Sequence, residues 1–247
     1  MPPRWVKHVS AGAEVTLLDQ LWERYAHHVP YARTFLQLAG GRFGNDHVAF
    51  RSLDLRPITS VFEALGWKRA GEYDFPDAHL NAIHLSKPGQ PRIFVSELRA
   101  GDLSKRAREI LRQLPPDPRF DGSAEWFRGP DLAPAESDLL ELERESQYGA
   151  WLLLFGREVN HFTASVDDVE AWQRRMSEAG IPMKGEIEGA PGASLRQTAT
   201  RAAPRLVKLA GRSREWPYAY LEIAERNGGF DGFVTTQARQ LFDMTKR

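Results

Sequence analysis

The sequence contains no cysteine among its 247 residues. This absence excludes disulfide bonds, zinc sites built on thiolates, iron–sulfur clusters and cysteine nucleophiles. A metal ion in this protein must therefore be held by histidine, carboxylate, carbonyl or water ligands. The chain has 7 histidines from which such ligands could come.

An excess of charge of one sign and long hydrophobic runs are also missing. Lys and Arg together number 33, as do Asp and Glu, so the formal net charge is zero. We therefore expect no general attraction to nucleic acid or to acidic membranes. No apolar run is long enough to span a bilayer, and residues 1–8 lack the apolar core of a secretory signal. The expected location is the cytoplasm, and neither nucleic acid nor membrane is an expected partner.

A short strand near the N-terminus carries two residues that could take part in chemistry. A Gly-Asn turn signal comes shortly before the apolar run Val48–Phe50. Because side chains alternate along a strand, His47 and Arg51 lie on one face, about 7 Å apart along the strand. For an isolated pair, a structural histidine beside a surface arginine is the commoner explanation.

A second strand of the same kind begins at Val159 and places His161 on one face and Phe162 on the other. His47 and His161 are 114 positions apart and occupy equivalent places in the chain. Each histidine strand is followed by a helix pattern and then by further strand patterns. The sequence therefore predicts an α+β protein with an internal repeat of a βαβββ unit.

The predicted organisation is a single domain of five parts. These are N-terminal helices at 1–41, a first βαβββ module at 42–99, a helical connector at 100–149, a second module at 150–226 and a C-terminal helix at 227–247. Within the second module we predict strands at Pro182–Ile187, Leu195–Thr200 and Pro217–Ala224 and a helix capped by Ser165 or Asp167.

Each module ends on a strand that carries a glutamate among apolar neighbours, Glu97 in the first and Glu222 in the second. Carboxylates in such positions are uncommon unless they are paired or bound to something. Two histidines and one carboxylate from different strands form a ligand set that leaves open positions on Fe(II), although zinc, nickel, cobalt and manganese accept the same ligands. Arg51 could hold a substrate carboxylate in a two-pronged pair.

Two further polar residues are candidates for the wall of the site. His79, together with Asn81, could line the cavity, and Gln197 could contact a substrate carboxylate. A hydrogen bond within the sheet explains His79 equally well, and Gln197 could merely decorate a strand.

Four segments carry a resemblance to a known family: Asn45–Arg51, Pro91–Leu98, Val159–Thr163 and Tyr220–Arg226. With the repeated βαβββ pattern, they resemble the vicinal-oxygen-chelate superfamily. More narrowly, they resemble the 2-oxoadipate dioxygenase/decarboxylase family, which includes the bacterial 2-hydroxyglutarate synthases of lysine breakdown. The resemblance implies two modules that form a curved sheet around a metal cleft.

The resemblance also implies roles for single residues. His47, His161 and Glu222 would hold Fe(II), Arg51 would grip the substrate, and these four residues are the predicted catalytic set. The implied reaction converts 2-oxoadipate and O2 into 2-hydroxyglutarate and carbon dioxide. Since the resemblance places the carboxylate ligand in the final strand, we favour a supporting role for Glu97.

Two other functions stay open at this stage. One is a metal-dependent, glyoxalase-like isomerase or lyase, in which Glu97 would be a fourth ligand. The other is a metal-free protein that binds a small ligand in the cleft between the modules. The sequence leaves the oligomeric state and the role of residues 100–149 open.

Overall fold

The computed structural model describes residues 16–234. The helices in this range are α1 Leu17–His28, α2 Pro30–Leu38, α3 Leu55–Ala64, α4 Lys105–Leu111, α5 Glu136–Glu145, α6 Gln147–Phe155 and α7 Val169–Glu178. The strands are β1 Asn45–Ser52, β2 Lys68–Phe75, β3 Leu80–Ser86, β4 Arg92–Leu98, β5 Val159–Ser165, β6 Leu195–Ala199, β7 Ala203–Leu209 and β8 Arg212–Arg226.

Local sequence signals account for where helices begin. Thr16 caps α1: its hydroxyl accepts from the backbone of Asp19, and the Asp19 carboxylate accepts from the Thr16 backbone in return. Pro30 occupies the first turn of α2, where its missing N–H is no loss. Asp168 caps α7 by accepting from the backbone of Ala171, so the predicted caps Ser165 and Asp167 are wrong by one to three residues.

All eight strands form one sheet, in the order β2-β3-β4-β1-β5-β8-β6, with β7 paired to β8. The two histidine strands β1 and β5 are antiparallel neighbours at the centre. Each of them has the last strand of its own half as a parallel neighbour, β4 for β1 and β8 for β5. The two halves therefore repeat one arrangement about the β1–β5 pair.

The two faces of the central strands have different surroundings. Phe50 of β1 packs against Phe62 of α3, with ring centroids 5.6 Å apart. Phe162 of β5 packs edge-on against Trp22 of α1 at 5.1 Å. These contacts define a helix face of the sheet. Since side chains alternate, His47 and His161 point to the opposite side, here called the cleft face.

The second half differs from the sequence prediction in two places. Residues Pro182–Ile187 form no strand, and only Met183 makes an isolated bridge, to Thr200. The structure instead contains a strand that the sequence analysis did not predict, β7, which forms a hairpin with the first part of β8 around Ala210 and Gly211. The start of β8 was not predicted because its residues are largely charged and lack the apolar alternation that indicates a strand. Arg212 and Arg214 both form ion pairs with Glu136 of α5.

Residues 100–149 contain α4 and α5, and α6 crosses the predicted boundary at residue 150. The predicted C-terminal helix lies mostly outside the described residues, and residues 227–234 contain no helix. Within residues 16–234, no helix combines the length and apolar character needed to cross a membrane.

Candidate metal centre

Strand register brings His47, His161 and Glu222 together on the cleft face. His47 in β1 is the register partner of Thr163 in β5, and Thr163 is the partner of Glu222 in β8. His161 precedes Thr163 by two residues on the same strand and so shares its face. Three adjacent strands thus present two imidazoles and one carboxylate to a single point, as the sequence predicts.

The spacing of these side chains suits a metal ion. The Nε2 atoms of His47 and His161 are 3.2 Å apart. His47 Nε2 lies 3.5 Å from Glu222 Oε1, and His161 Nε2 lies 3.9 Å from Glu222 Oε2. A metal bonded to each ligand at about 2.1 Å spaces neighbouring ligand atoms by about 3 to 3.4 Å. The observed distances therefore need only small adjustments.

Each histidine is oriented by the residue before it. His47 Nδ1 donates to Asp46 Oδ1 at 2.8 Å, and His161 Nδ1 donates to Asn160 Oδ1 at 3.1 Å. Since both acceptors are oxygens, each ring carries its proton on Nδ1 and keeps a lone pair on Nε2. A carboxylate or carbonyl partner on the outer nitrogen is the usual arrangement of metal-ligating histidines.

Asp46 is itself held by two arginines from the closing strands. Arg226 of β8 donates to both of its carboxylate oxygens, at 2.6 and 2.9 Å. Arg92 of β4 reaches Asp46 Oδ2 at 3.4 Å. Burial alone would raise the pKa of Asp46, but the Arg226 charge and the hydrogen bonds from His47 and Arg226 outweigh it and hold that pKa well below its usual range.

The three candidate ligands lie in a dry environment that disfavours charge. Burial, reinforced by the charges of Glu188 and Asp46, raises the pKa of Glu222 well above its usual value. Burial also lowers the pKa of His161 well below its usual value, with smaller contributions from His47 and Arg51. The pKa of His47 is lowered by burial against the opposing effect of Asp46. A bound cation would reverse these penalties because it supplies the missing opposite charge.

The Glu222 carboxylate is fully buried, and its Oε2 atom has no hydrogen-bond partner in the structure. Its Oε1 atom accepts from the Thr163 hydroxyl at 3.2 Å. A buried carboxylate oxygen without a partner is costly, and it lies beside the Nε2 atom of His161, at 3.9 Å, and near that of His47, which the Thr163 hydroxyl approaches to 3.0 Å. Two neutral imidazoles and one carboxylate fit a divalent first-row metal ion.

Among residues 16–234, only His47, His161 and Glu222 form the candidate ligand cluster, and strand register explains why the first half adds no carboxylate to it. In the second half, Glu222 pairs with Thr163, two residues after His161; in the first half, the corresponding partner is Phe94, opposite Ala49. Phe94 therefore takes the place of Glu222 in the first module. Glu97 pairs with Ser52 on the opposite face of the sheet and cannot be a fourth ligand. The cluster has three ligands and an open side.

Arg51 lies on the same strand face as His47, as predicted, and is almost fully buried. Its guanidinium lies over the rings of Tyr148 and Trp151, with centroid distances of 4.8 and 5.1 Å. Both aromatic residues belong to α6. This cation–π packing fixes the guanidinium at the edge of the metal-site cavity.

The cavity in front of the cluster is narrow, with a free volume of about 30 Å³. Its wall includes the three candidate ligands, Arg51, Asn160, Gln197, Phe94, Tyr220 and Phe233. Gln197 lines it, as predicted, with its Nε2 donating to Glu188 at 3.0 Å and its Oε1 unpartnered. The cavity is thus apolar with a few polar groups that converge on one side, as small-molecule sites commonly are.

His79 does not reach this cavity, and that prediction is wrong. It precedes β3 in a left-handed turn (φ 55°), half exposed, with Nδ1 3.3 Å from Asp102. Asn81 pairs with Glu97 and so shares the opposite face of the sheet. Besides His47, the first half places His84 on the cleft face, where its Nδ1 lies 2.8 Å from the Tyr73 hydroxyl.

The sequence profile of a family described as 2-oxoadipate dioxygenase/decarboxylase matches residues 17–115 and 121–246. The chain belongs to this family.

Other members and neighbours agree with the assignment. A 2-oxoadipate dioxygenase/decarboxylase of Oryza sativa, chloroplastic or amyloplastic, is 26% identical over 91% of this chain and 73% of its own. A rice hydroxyglutarate synthase, solved in complex with 2-oxoadipate, superposes with a TM-score of 0.80 at 24% identity, over 97% of this chain and 98% of its own. A protein from Ralstonia eutropha that is assigned to the glyoxalase superfamily superposes with a TM-score of 0.79 at 23% identity, over 88% of this chain and 84% of its own. The predicted glyoxalase-like α+β fold is confirmed.

For this dioxygenase/decarboxylase family member, sequence reasoning missed several residues of the site. Asp46 and Asn160 each precede a candidate histidine ligand, and that shared spacing was the available signal. Phe94 was not predicted as a site residue because strand register decides which residue corresponds to Glu222. Register is known only once the pairing of the strands is known. Phe233 comes from a turn far along the chain, and nothing in its local sequence points to the cleft.

Proposed function

We propose that this protein is an Fe(II)-dependent dioxygenase that decarboxylates a 2-oxo dicarboxylic acid. The proposed reaction is 2-oxoadipate and O2 to 2-hydroxyglutarate and carbon dioxide. The observation that carries the proposal is the three-ligand cluster of His47, His161 and Glu222, open toward a cavity that also contains an arginine. Family membership supplies the reaction class.

The ligand residues have distinct tasks in this proposal. His47 and His161 offer Nε2 lone pairs that Asp46 and Asn160 keep in place through Nδ1, while Glu222 supplies the single negative charge. When bound, an iron(II) ion would supply the activation of O2 and the open positions at which a 2-oxo acid can chelate it. Zinc and manganese accept the same ligands, so the redox requirement of the family reaction is the reason to favour iron.

Substrate binding is assigned to donors in the cavity wall. Arg51 can grip a carboxylate with two parallel N–H bonds, held in position by Tyr148 and Trp151. Asn160 uses its Oδ1 to accept from His161, which leaves its Nδ2 as a buried donor without a partner at the same wall. We assign these two residues to the oxygens of the 2-oxo acid, and Gln197 to its more distant part.

The apolar residues exclude water from the reaction. Phe94 and Phe233 lie with ring centroids 4.8 Å apart, and Tyr220 stacks on His161 at 4.6 Å. A dry wall strengthens the electrostatic contacts inside the cavity and protects reactive species from side reactions.

The isomerase or lyase function has less support because the first-half counterpart of Glu222 is Phe94, so the closed four-ligand site expected for that chemistry is not formed. A metal-free binding protein is disfavoured by the unpartnered Glu222 oxygen. Both alternatives remain measurable outcomes of one experiment.

The test is oxygen uptake by anaerobically purified, Fe(II)-loaded protein given 2-oxoadipate, with carbon dioxide and 2-hydroxyglutarate measured in parallel. We expect substrate-dependent uptake with one carbon dioxide released per O2. Glu222→Gln should abolish it, whereas Glu97→Gln, which changes a carboxylate on the other face of the sheet, should not. Metal binding without uptake, with this and related 2-oxo acids, would refute the oxygenase.

A further inference from the structure

Residues 227–234, here called the cover segment, follow β8 and turn back across the cleft face. The ring of Phe233 packs edge-on against the ring of His47, with centroids 4.9 Å apart, and against Phe94 at 4.8 Å. The backbone N–H of Phe233 donates to the Tyr73 hydroxyl at 3.1 Å. The cover segment therefore closes one side of the metal-site cavity.

Two arginines fix the cover segment. Arg226 Nη1 donates to the carbonyl of Gly232 at 2.7 Å. Arg92 Nε donates to the carbonyl of Asp231 at 2.8 Å, and its Nη2 forms an ion pair with the Asp231 carboxylate. Both arginine side chains are at most 11% exposed. Their contacts are thus held in a poorly hydrated region where charged hydrogen bonds are strong.

The same two guanidinium groups hold Asp46, the carboxylate that orients His47. Arg226 grips Asp46 with its Nε and Nη2 atoms and uses Nη1 for the cover segment. Arg92 likewise contacts Asp46 with its Nη1 atom and the cover segment with its Nε atom. One carboxylate between two shared arginines thus connects the imidazole of a candidate metal ligand to the backbone that covers the site.

We propose that Asp46 is a positioning residue that couples closure of the cover segment to metal binding by His47. With a metal bound, Nε2 is engaged, the imidazole is fixed, and Asp46 presents both oxygens to Arg226 and Arg92. Without metal, the Nε2 atom of His47 has the Thr163 hydroxyl at 3.0 Å and the Nε2 atom of His161 at 3.2 Å as neighbours, so the ring and the contacts behind it are held less tightly. Linkage makes the effect reciprocal: closure tightens metal binding by the same factor as metal favours closure.

This inference rests only on the metal-binding part of the proposed function. Its test uses Co(II) as the probe, because a cobalt visible spectrum reports ligand geometry without oxygen chemistry. Hydrogen exchange followed by mass spectrometry on peptides spanning residues 227–234 measures closure. We expect Co(II) to slow exchange in these peptides of the unmodified protein.

The decisive variant is Asp46→Asn, which keeps the shape of the side chain and removes its charge. We expect its Kd for Co(II) to rise by about 10- to 100-fold, the usual effect of losing an outer partner of a ligand histidine. Its Co(II) spectrum should change, and exchange in residues 227–234 should no longer respond to metal. Glu136→Gln is the matched control: it removes a carboxylate that is also held by two arginines, Arg212 and Arg214, in the first part of β8.

Exchange rates that are the same with and without Co(II) in the unmodified protein would overturn the coupling. So would an Asp46→Asn protein with unchanged affinity and spectrum. Should Asp46→Asn fail to fold, Arg226→Lys, which cannot grip Asp46 with two prongs, is measured in its place, and wild-type values there would also overturn the coupling. A protein that shows these dependences but consumes no oxygen supports the coupling and contradicts the oxygenase.

Discussion

The Nε2 atoms of His47 and His161 face each other across 3.2 Å, although neither carries a proton when both Nδ1 atoms donate to Asp46 and Asn160. Two lone pairs at this distance repel each other unless a cation lies between them. The folded protein therefore carries a local electrostatic cost that a divalent ion relieves. This relationship leads to the first prediction.

Removing metal should lower the thermal stability of the protein. A metal present at 100 times its Kd adds about 2.7 kcal/mol to the free energy of unfolding, which for a chain of this size corresponds to a rise in Tm of about 5 to 11 °C. Differential scanning fluorimetry with chelator, and then with added Co(II), measures the shift. Glu222→Gln should show little of it, and an equal shift in that variant would contradict the assignment of Glu222 as a ligand.

Arg51→Lys should impair substrate binding while sparing the metal. Lysine keeps the positive charge but loses the planar fork that allows two parallel hydrogen bonds to a carboxylate. We expect the KM for the 2-oxo dicarboxylate to rise by at least about tenfold, the equivalent of one charge-assisted hydrogen bond, and the Kd for Co(II) to stay within error of wild type. A large loss of metal affinity would show instead that Arg51 supports the ligands.

Phe94→Glu should convert the open site into a closed one. Phe94 occupies the register position in the first half that Glu222 occupies in the second, so a carboxylate there can reach the metal. We expect tighter Co(II) binding and loss of substrate-dependent oxygen uptake, because a fourth protein ligand takes a position needed by substrate or O2. Phe94→Leu serves as the control for lost aromatic packing and should keep weaker but measurable uptake.

His84 should make the protein less stable as the pH falls. Burial, assisted by the charge of Arg92, lowers the pKa of His84 to about 4, whereas in the unfolded chain it is about 6.5. Between these values the unfolded chain binds more protons than the folded one, so the free energy of unfolding falls as the pH falls through this window. His84→Phe should flatten the dependence of Tm on pH between 4.5 and 6.5. The surface variant His79→Gln should keep the wild-type slope.

Periodicity and spacing were enough to identify the elements that carry the candidate site. His47 and His161 each lie on a strand with one apolar face, and this alternation is visible in the sequence. Glu222 stands out because a carboxylate among Leu221 and Ile223 is costly unless bound. The same argument applied to Glu97, and the resemblance to the family, which places the carboxylate ligand in the final strand, favoured Glu222.

The errors arose where tertiary contacts override local signals. His79 precedes β3 in a left-handed turn, so the strand pattern that suggested it could line the cavity does not extend to it. The first part of β8 is charged because its side chains pair with α5, a contact that no local pattern indicates. Whether Glu97 could be a ligand depended on strand register, and register follows from pairing rather than from local composition.

The unequal pair of Phe94 and Glu222 breaks the approximate twofold symmetry of the two halves at the metal centre. A symmetric centre would surround a divalent ion with two neutral imidazoles and two carboxylates, and its net charge would be zero. Replacing one carboxylate by a phenyl ring leaves a bound divalent ion with one unit of uncompensated positive charge. In a buried cavity that residual charge attracts an anion. This one difference between the duplicated halves therefore leaves coordination positions open. It also leaves the net positive charge that favours binding of an anionic chelating acid.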